Sequence, residues 1–332
     1  VSTLIGTSVT DVDSGALSGV AIFGMTGSGG TLEYSLDGTT WVSAGALSSS
    51  SALLLRSTDQ MRFTPDSNNG GTIQVSYRAW DQTTGSAGSK VDVSVTGGAT
   101  AFSTASDIAS CTIASVNDAP VLADTALALT VAEDAGAPSG AVGSPVSAFT
   151  GGVTDVDSGA SKGIAITGSN ESNGTWYYTT NNGSTWTAVG TVSNTSALLL
   201  ADNANTRLYF SPGANFSGTS SGALTVRAWD QTSGAAGSKV STASNGGTTA
   251  FSSATDVVDV TVTAVNDAPV LVPQGLTYNT TEGAVPITST VSALIGTSVT
   301  DSDSGALSGV AIFGMAGSGG TLEYSLDGST WL

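Results

Sequence analysis

The chain has 332 residues, and its 26 acidic and 8 basic side chains give a formal net charge of −18 in the absence of histidine. The lack of histidine excludes a Ser-His-Asp triad and imidazole metal sites, and the single cysteine excludes thiolate zinc clusters and an intrachain disulfide. The negative charge disfavours nucleic acid as a partner, and the absence of an apolar run of about 18 residues predicts no membrane span in this segment.

Internal repeats set the organisation of the chain. Residues 3–41 return almost unchanged at 293–331, and a more divergent copy lies halfway between them. Three further blocks each occur twice: SALLL at 51–55 and 196–200, RAWDQT at 78–83 and 227–232, and VNDAPVL at 116–122 and 265–271. The repeating unit is therefore about 145 residues long.

The spacing of the repeats predicts three segments. They are 1–118, a unit without its first strand; 119–267, a complete unit; and 268–332, the N-terminal part of a third unit. We call them the first, second and third units. This arrangement is typical of a segment from a longer array.

The predicted elements are short strands. TIQVSYRAW at 72–80 and VVDVTVTAV at 257–265 alternate apolar and polar residues, the pattern of strands with one buried face. Turn signals such as Asp37-Gly38, Asn182-Gly183, Asp327-Gly328 and Gly29-Gly30 separate the runs. No helical apolar stripe persists for three turns, so the fold class is predicted as all-β, with tandem β-sandwiches in a linear array.

Two further features of each unit lead to expectations about packing. Cys111 aligns with Val260 on an inward-facing strand position, so we expect it to be a small buried hydrophobe rather than a reactive thiol. The stretches 83–106 and 232–254, rich in Gly, Ala, Ser and Thr, are long for hairpin loops. They are expected to carry extra strands or lateral contacts.

Acidic residues recur at fixed places in the units. The motif Thr-Asp-x-Asp-Ser-Gly places Asp11/Asp13, Asp155/Asp157 and Asp301/Asp303, and Arg-Ala-Trp-Asp places Asp81 and Asp230 at the ends of long strands. The linker motif Val-Asn-Asp-Ala-Pro places Asn117/Asp118 and Asn266/Asp267, and Glu133 and Glu282 follow it at a short distance.

This acidic pattern favours calcium as a ligand. Ca²⁺ takes six to eight oxygens from carboxylates and carbonyls, and an Asp-x-Asp pair on a loop can offer two carboxylates to one ion. Carboxylates brought close together repel unless a cation neutralises them. The alternative is that each motif is only a surface turn whose Asp side chains accept hydrogen bonds from their own backbone.

The order of these motifs resembles that of cadherin repeats and of the cadherin-like modules of bacterial giant adhesins and RTX-type repetitive surface proteins. In the second unit, Glu133 is followed by Asp155/Asp157, by Ala228-Trp229-Asp230 and by Asn266-Asp267-Ala268-Pro269. The Asp-Arg-Glu motif of cadherins is not recognisable, and the units are longer than a typical cadherin repeat. The resemblance implies cadherin-like β-sandwiches with calcium at each junction between units.

The resemblance also implies a ligand set for each junction. For the first junction the set is Asn117, Asp118, Asp155, Asp157 and Asp230. For the second junction the set is Glu133, Asn266, Asp267, Asp301 and Asp303. Asp11, Asp13 and Asp81 are the corresponding candidates in the first unit.

The expected function is mechanical. The resemblance implies a non-enzymatic, extracellular or cell-surface rod of repeats, stiffened by calcium and serving cell adhesion or attachment to a matrix or biofilm. A rival is a self-assembling surface layer, sheath or filament, in which lateral contacts such as those of 83–106 and 232–254 join chains. A third reading is a carbohydrate-binding module that uses Trp176, which is peculiar to the second unit. Paired carboxylates also occur in glycosidases, but here they recur in repeated turns rather than in one cleft.

Overall fold

The first unit contains two antiparallel sheets. A computed structural model describes residues 1–66, 68, 70–317 and 319–332. The elements of the first unit are α1 Ser2–Ile5, β1 Gly19–Thr26, β2 Gly30–Ser35, β3 Val42–Ser43, β4 Ala52–Arg56, β5 Gln60–Pro65, β6 Gly71–Trp80, β7 Lys90–Val91 and β8 Asp107–Ile113. One sheet has the order β7-β4-β1-β6-β8, and the other has the order β3-β2-β5.

The second unit repeats this plan with additional strands at its start. Its elements are β9 Val121–Leu122, β10 Leu127–Ala132, β11 Ser144–Pro145, a 3₁₀ helix Val146–Phe149, β12 Val153–Thr154, β13 Gly163–Ser169, β14 Gly174–Thr179, β15 Thr187–Ala188, β16 Ala197–Ala201, β17 Arg207–Pro212, β18 Gly218–Trp229, β19 Lys239–Val240 and β20 Asp256–Thr263. The six-stranded sheet has the order β10-β20-β18-β13-β16-β19, and the four-stranded sheet has the order β11-β17-β14-β15.

The third unit has little regular structure in the described residues. Its elements are β21 Val270–Leu271, α2 Val291–Ile295 and β22 Val299–Thr300. β21 pairs with β22, as β9 pairs with β12 in the second unit. The chain as a whole is 35% strand and 4% helical, so the all-β prediction is confirmed.

The predicted strands lie where the alternation placed them. Ile73, Val75 and Tyr77 on β6 are buried, as are Val258, Val260 and Val262 on β20, while the residues between them are more exposed. The run at 196–200 is different, because its residues on β16 are buried on both faces of the sheet. Continuous burial of this kind requires a layer on each side.

The core of the second unit shows what those two layers are. On the inner face, Ile164 and Leu198 of the six-stranded sheet pack with Trp176 and Phe210 of the four-stranded sheet. The ring centroids of Trp176 and Phe210 are 5.1 Å apart. On the outer face, a second cluster contains Trp229 together with Ala165, Ala197, Leu199, Ala201, Ala250 and Phe251.

The Gly/Ala/Ser/Thr-rich stretches supply the outer layer. Each contributes a two-residue strand, β7 or β19, to the edge of the main sheet, so the expectation of extra strands is confirmed. Each also brings a phenylalanine back over the sheet, in the bridges Trp80–Phe102 and Trp229–Phe251. In this structure these stretches therefore cover their own sheet.

The expectation for Cys111 is wrong. Cys111 is exposed, whereas its counterpart Val260 is fully buried. In the second unit, β10 lies parallel to β20 and places Leu129 opposite Val260. Among the described residues no strand takes this position beside β8, so the thiol stays open to solvent.

Candidate metal site at the unit junctions

The linker between the first two units is a short strand that docks on the second unit. We call residues 116–122 the first linker and residues 265–271 the second linker. Val121 and Leu122 pair with Thr154 and Val153, so the linker lies directly beside the strand that leads into the Asp-x-Asp loop. Leu122 is buried against the core of the second unit. Pro120 favours the extended path of this segment.

Hydrogen bonds fix the linker's polar residues against the acidic groups of the second unit. The Asp118 N–H donates to Asp157 Oδ2 at 2.8 Å. The Asn117 Nδ2 group donates to Asp230 Oδ2 at 2.9 Å and to the carbonyl of Thr249 at 3.2 Å. The five residues predicted for the first junction therefore lie at one place, with Asp155 as the remaining member.

The Asp-x-Asp loop has the turn geometry that the alternative reading predicts. The Asp157 N–H donates to Asp155 Oδ1 at 2.9 Å, and the same bond occurs between residues 13 and 11 and between 303 and 301. The first Asp of each pair thus uses one carboxylate oxygen to close its own turn. Its other oxygen is not needed for the turn.

Asp155 is the residue of the first junction on which burial and neighbouring negative charge both act. Its Oδ2 atom is buried and has no hydrogen-bond partner. Burial raises the pKa of Asp155, and the nearby carboxylates of Asp157, Asp230 and Asp118 raise it further, while the bond from the Asp157 N–H opposes the rise. A buried oxygen surrounded by negative charge favours either a proton or a cation.

The second junction repeats this arrangement in part. The Asp267 N–H donates to Asp303 Oδ2 at 2.9 Å. Asp267 Oδ2 is buried without a partner, and burial, followed by the charges of Asp134, Asp303 and Asp301, raises the pKa of Asp267. Glu133 is also near, because its Oε2 accepts the Val265 N–H at 3.3 Å.

Asn266 does not join this group as Asn117 does. It is exposed, and its Nδ2 group donates to the carbonyl of Asp267 at 2.9 Å. The counterpart of Asp230, which holds Asn117 in the first junction, does not occur in the third unit within these 332 residues.

Sequence reasoning missed Asp134 as a member of the second junction. It adopts a positive φ of 61°, and its carboxylate acts on Asp267. The equivalent position in the third unit is Gly283, with φ 72°. The residue was missed because only recurring acidic positions were considered; the signal available was its place next to Glu133.

The first unit holds its three acidic residues around an open cleft. Asp11 and Asp13 are exposed, and Asp81 Oδ1 accepts the N–H of Thr83 at 2.8 Å. These residues line a cleft of about 580 Å³. Its counterpart in the second unit contains the first linker.

The donor set is suited to a hard cation. Carboxylate, amide and backbone oxygens are the ligands that calcium prefers. Both ion pairs among the described residues, Arg56–Asp59 and Arg62–Glu33, lie in the first unit, so neither places a basic side chain at the junction acids. In the part of the chain that the structure describes, no three carboxylates converge in metal-ligating geometry. The observation that fits a cation is the buried, unpartnered oxygen at each junction.

Trp176 is not available as a sugar-stacking platform. Its side chain is fully buried, and its ring packs against Phe210 in the core. Trp80 and Trp229 are also buried, so these three tryptophans serve the packing of the first and second units. The side chain of Trp176 is therefore closed to a sugar in this structure.

The sequence has no recognisable relative among the family models and curated proteins with which it was compared. No protein-family model matches the sequence, and no curated protein is significantly similar to it. The resemblance to cadherin repeats thus depends on the order and spacing of short motifs. Neither α-helix among the described residues exceeds five residues, and none is long and apolar enough to cross a membrane.

Proposed function

We propose that this chain is part of an extracellular, calcium-stiffened rod of cadherin-like units that serves adhesion at a cell surface. The observation that carries the proposal is the buried, unpartnered Oδ2 of Asp155 at the first junction, on which the nearby charges of Asp157, Asp230 and Asp118 act. The role is mechanical, because each bound ion would tie a linker to the next unit.

The charge of the chain supports a cation at this place. Net charge is −18, and acidic groups of the linker and the following unit are held together by hydrogen bonds that leave their negative charge uncompensated. Without a cation, this repulsion favours separation of linker and loop. With calcium, the same carboxylates would hold the two parts at a fixed angle.

The ion concentration outside cells matches such a site. Extracellular modules bind calcium with Kd values of about 10⁻⁴ to 10⁻³ M. At about 10 mM calcium, such a site would stabilise a junction by about 1.4 to 2.7 kcal/mol. This free energy is large enough to suppress bending and opening of the linker.

Calcium titration by calorimetry on the 332-residue chain tests the proposal. The double variant Asp155→Asn/Asp157→Asn should lose the heat of calcium binding at the first junction. The matched control is Asp11→Asn/Asp13→Asn, the same motif in a unit whose cleft holds no linker, and it should bind calcium as the wild type does. Equal titrations for wild type and the Asp155/Asp157 variant would contradict the proposed site.

Solution scattering tests the stiffening separately. Calcium should narrow the distribution of particle dimensions and slow proteolysis within both linkers, and chelation should reverse both effects. If scattering profiles with and without calcium superimpose, the mechanical role fails even where calcium binds.

A further inference from the structure

We propose that two copies of this chain associate through strand β10, which pairs antiparallel with β10 of the second copy about a two-fold axis at Thr130. The six-stranded sheets of the two second units then form one continuous sheet. The proposal concerns the second unit alone, needs no calcium and stands apart from the proposed function.

β10 differs from the other edge strands of the second unit. The two main sheets of this unit end in four edge strands, β10 and β19 in one sheet and β11 and β15 in the other. β11, β15 and β19 have two residues each, β11 contains Pro145, and β19 begins with Lys239. Short strands, prolines and lysines at an edge prevent pairing with another chain. β10 spans the six residues Leu127–Ala132 without proline or charge, so it offers the longest unprotected edge of the four.

The backbone of β10 shows which of its groups can pair with a further strand. Just beyond the strand, the Glu133 N–H donates to the Thr263 carbonyl of the β20 segment at 2.8 Å. Successive residues of a strand direct their N–H and C=O groups to opposite sides, so the backbone groups of Leu129 and Val131 also face β20. The Val131 carbonyl accepts the Thr263 hydroxyl at 3.3 Å, as this orientation requires. The backbone groups that point toward the open edge belong to Ala128, Thr130 and Ala132.

These three residues make the edge complementary to itself. When Thr130 lies opposite Thr130 of the second copy, Ala128 lies opposite Ala132 and Ala132 lies opposite Ala128. Each is then a hydrogen-bonded pair, in which the two residues exchange both of their N–H···O bonds. The side chains of all three residues are exposed and small. A two-fold interface requires a surface that matches itself in this way.

Charge also favours this edge as the contact between copies. The chain has a net charge of −18, so two copies repel over most of their surface, but residues 125–132 contain no charged side chain. In the proposed register the numbers of paired residues add up to 260. Asp124, Glu133 and Asp134 therefore lie opposite residues 136, 127 and 126, none of which is acidic. Because like charges directly opposite destabilise a sheet, their absence here permits close approach.

An apolar seam beside β10 is closed by the same contact. On this side, a cavity of about 340 Å³ lies between the two main sheets of the second unit. Leu129 and Val131 of β10 line this cavity together with Ser144 of β11 and Phe210 of β17. β10 and β11 are both edge strands, so in the two-fold pair the cavity of one copy faces that of the other. Association thus removes apolar surface from water in addition to pairing the backbone.

A disulfide between copies tests the register. In a hydrogen-bonded antiparallel pair the Cα atoms are about 5.5 Å apart, a separation that a disulfide spans. Cys111 is exposed and is therefore replaced by serine. The variant Thr130→Cys/Cys111→Ser, oxidised in the presence of a calcium chelator, should form a covalent dimer linked through residue 130. Thiols held in a complex have an effective concentration of about 1 mM, so at about 10 µM protein the bond should form roughly 100-fold faster than by random encounter.

The matched control is Thr261→Cys/Cys111→Ser. Thr261 lies opposite Thr130 on β20 and is likewise exposed. In the proposed dimer the two copies of residue 261 are three strand spacings apart, about 14 Å, which is too far for a disulfide. Equal rates of dimer formation from the two variants would overturn the register.

Charge reversal tests the interface in solution without oxidation. Thr130→Asp and Thr130→Lys each place two like charges opposite one another at the two-fold axis, so each should weaken association by about tenfold or more in analytical ultracentrifugation. Residue 130 is exposed, so both variants should keep the fold of the monomer, as circular dichroism will verify. An equimolar mixture of the two variants should restore the dimer, since Asp then lies opposite Lys. A wild-type chain that stays monomeric at every concentration, or a mixture that sediments as its separate components do, would refute the proposal.

Discussion

A matched pair of isoleucines tests how much of the fold depends on residues far away in sequence. Ile22 and Ile312 occupy the same place in the identical segments GVAIFGM at 19–25 and 309–315. Ile22 is fully buried on β1, opposite Leu53 of β4 and Tyr77 of β6. Ile312 is 65% exposed and lies outside any strand.

The two substitutions Ile22→Ala and Ile312→Ala should therefore differ widely. Truncation of a fully buried isoleucine costs about 2 to 5 kcal/mol, because apolar contact is lost and a cavity remains. Truncation of an exposed one changes stability by at most about 0.5 kcal/mol. The difference comes entirely from tertiary contacts, since the local sequences are the same.

Hydrogen exchange with mass spectrometry measures both sites in one sample. Peptides covering 19–26 and 309–316 differ at their last residue and are distinguishable by mass. Ile22→Ala should accelerate exchange in the first peptide about 30-fold to several-thousand-fold where exchange reports opening of the unit. Ile312→Ala should leave the exchange rates of both peptides unchanged. Strong protection of 309–316 in the wild type, or equal effects of the two variants, would refute the reasoning.

Three further predictions concern the junction and a turn. Asp155→Asn should raise the melting temperature of the metal-free chain at neutral pH. The pKa of the Asp155 carboxyl is raised in the folded state, so the folded state loses stability as the pH rises through that pKa. The increase in melting temperature caused by the substitution should therefore shrink on acidification. Gly183→Ala should destabilise the second unit by more than the roughly 1 kcal/mol expected for Gly38→Ala, as measured by urea denaturation. Both glycines have positive φ, but a Cβ at residue 183 would also collide with the backbone of Gly140, whereas a Cβ at residue 38 meets no backbone. Asn117→Ala should speed proteolysis of the first linker, since its bonds to two acceptors in the second unit are lost; an unchanged cleavage rate would contradict that role.

The sequence predicted the strands well where their pattern has a physical cause of its own. The alternation in β6 and β20 reflects one buried face and one exposed face, and both strands formed as expected. The turn predicted at Asn182-Gly183 also formed, and both residues adopt positive φ there. The resemblance to cadherin repeats implied the grouping of Asn117 with Asp230, and the Asn117 Nδ2 group donates to Asp230 although the two residues are 113 positions apart.

Other features could not be read from one unit's sequence. Cys111 was expected to be buried because it aligns with an inward-facing strand position, but burial there is supplied by β10, and among the described residues no strand lies beside β8 at that place. Asp134 was not predicted as part of the junction because the third unit has Gly283 at the equivalent position, so the acidic residue does not recur. The unpartnered oxygens of Asp155 and Asp267 depend on how turn and linker meet, which spacing alone does not define.

The sequence by itself determined the β character, the repeat length, the turns and the positions of the acidic motifs, because each is a local property of alternation, glycine or carboxylate placement. Only the tertiary structure decided which copies of a motif become buried strands. GVAIFGM forms β1 in the first unit, where β4 and β6 flank it, and no strand in the third. A strand's backbone groups and apolar face are satisfied by its neighbours, and β4 and β6 supply them to β1 from positions that the local sequence of β1 does not specify.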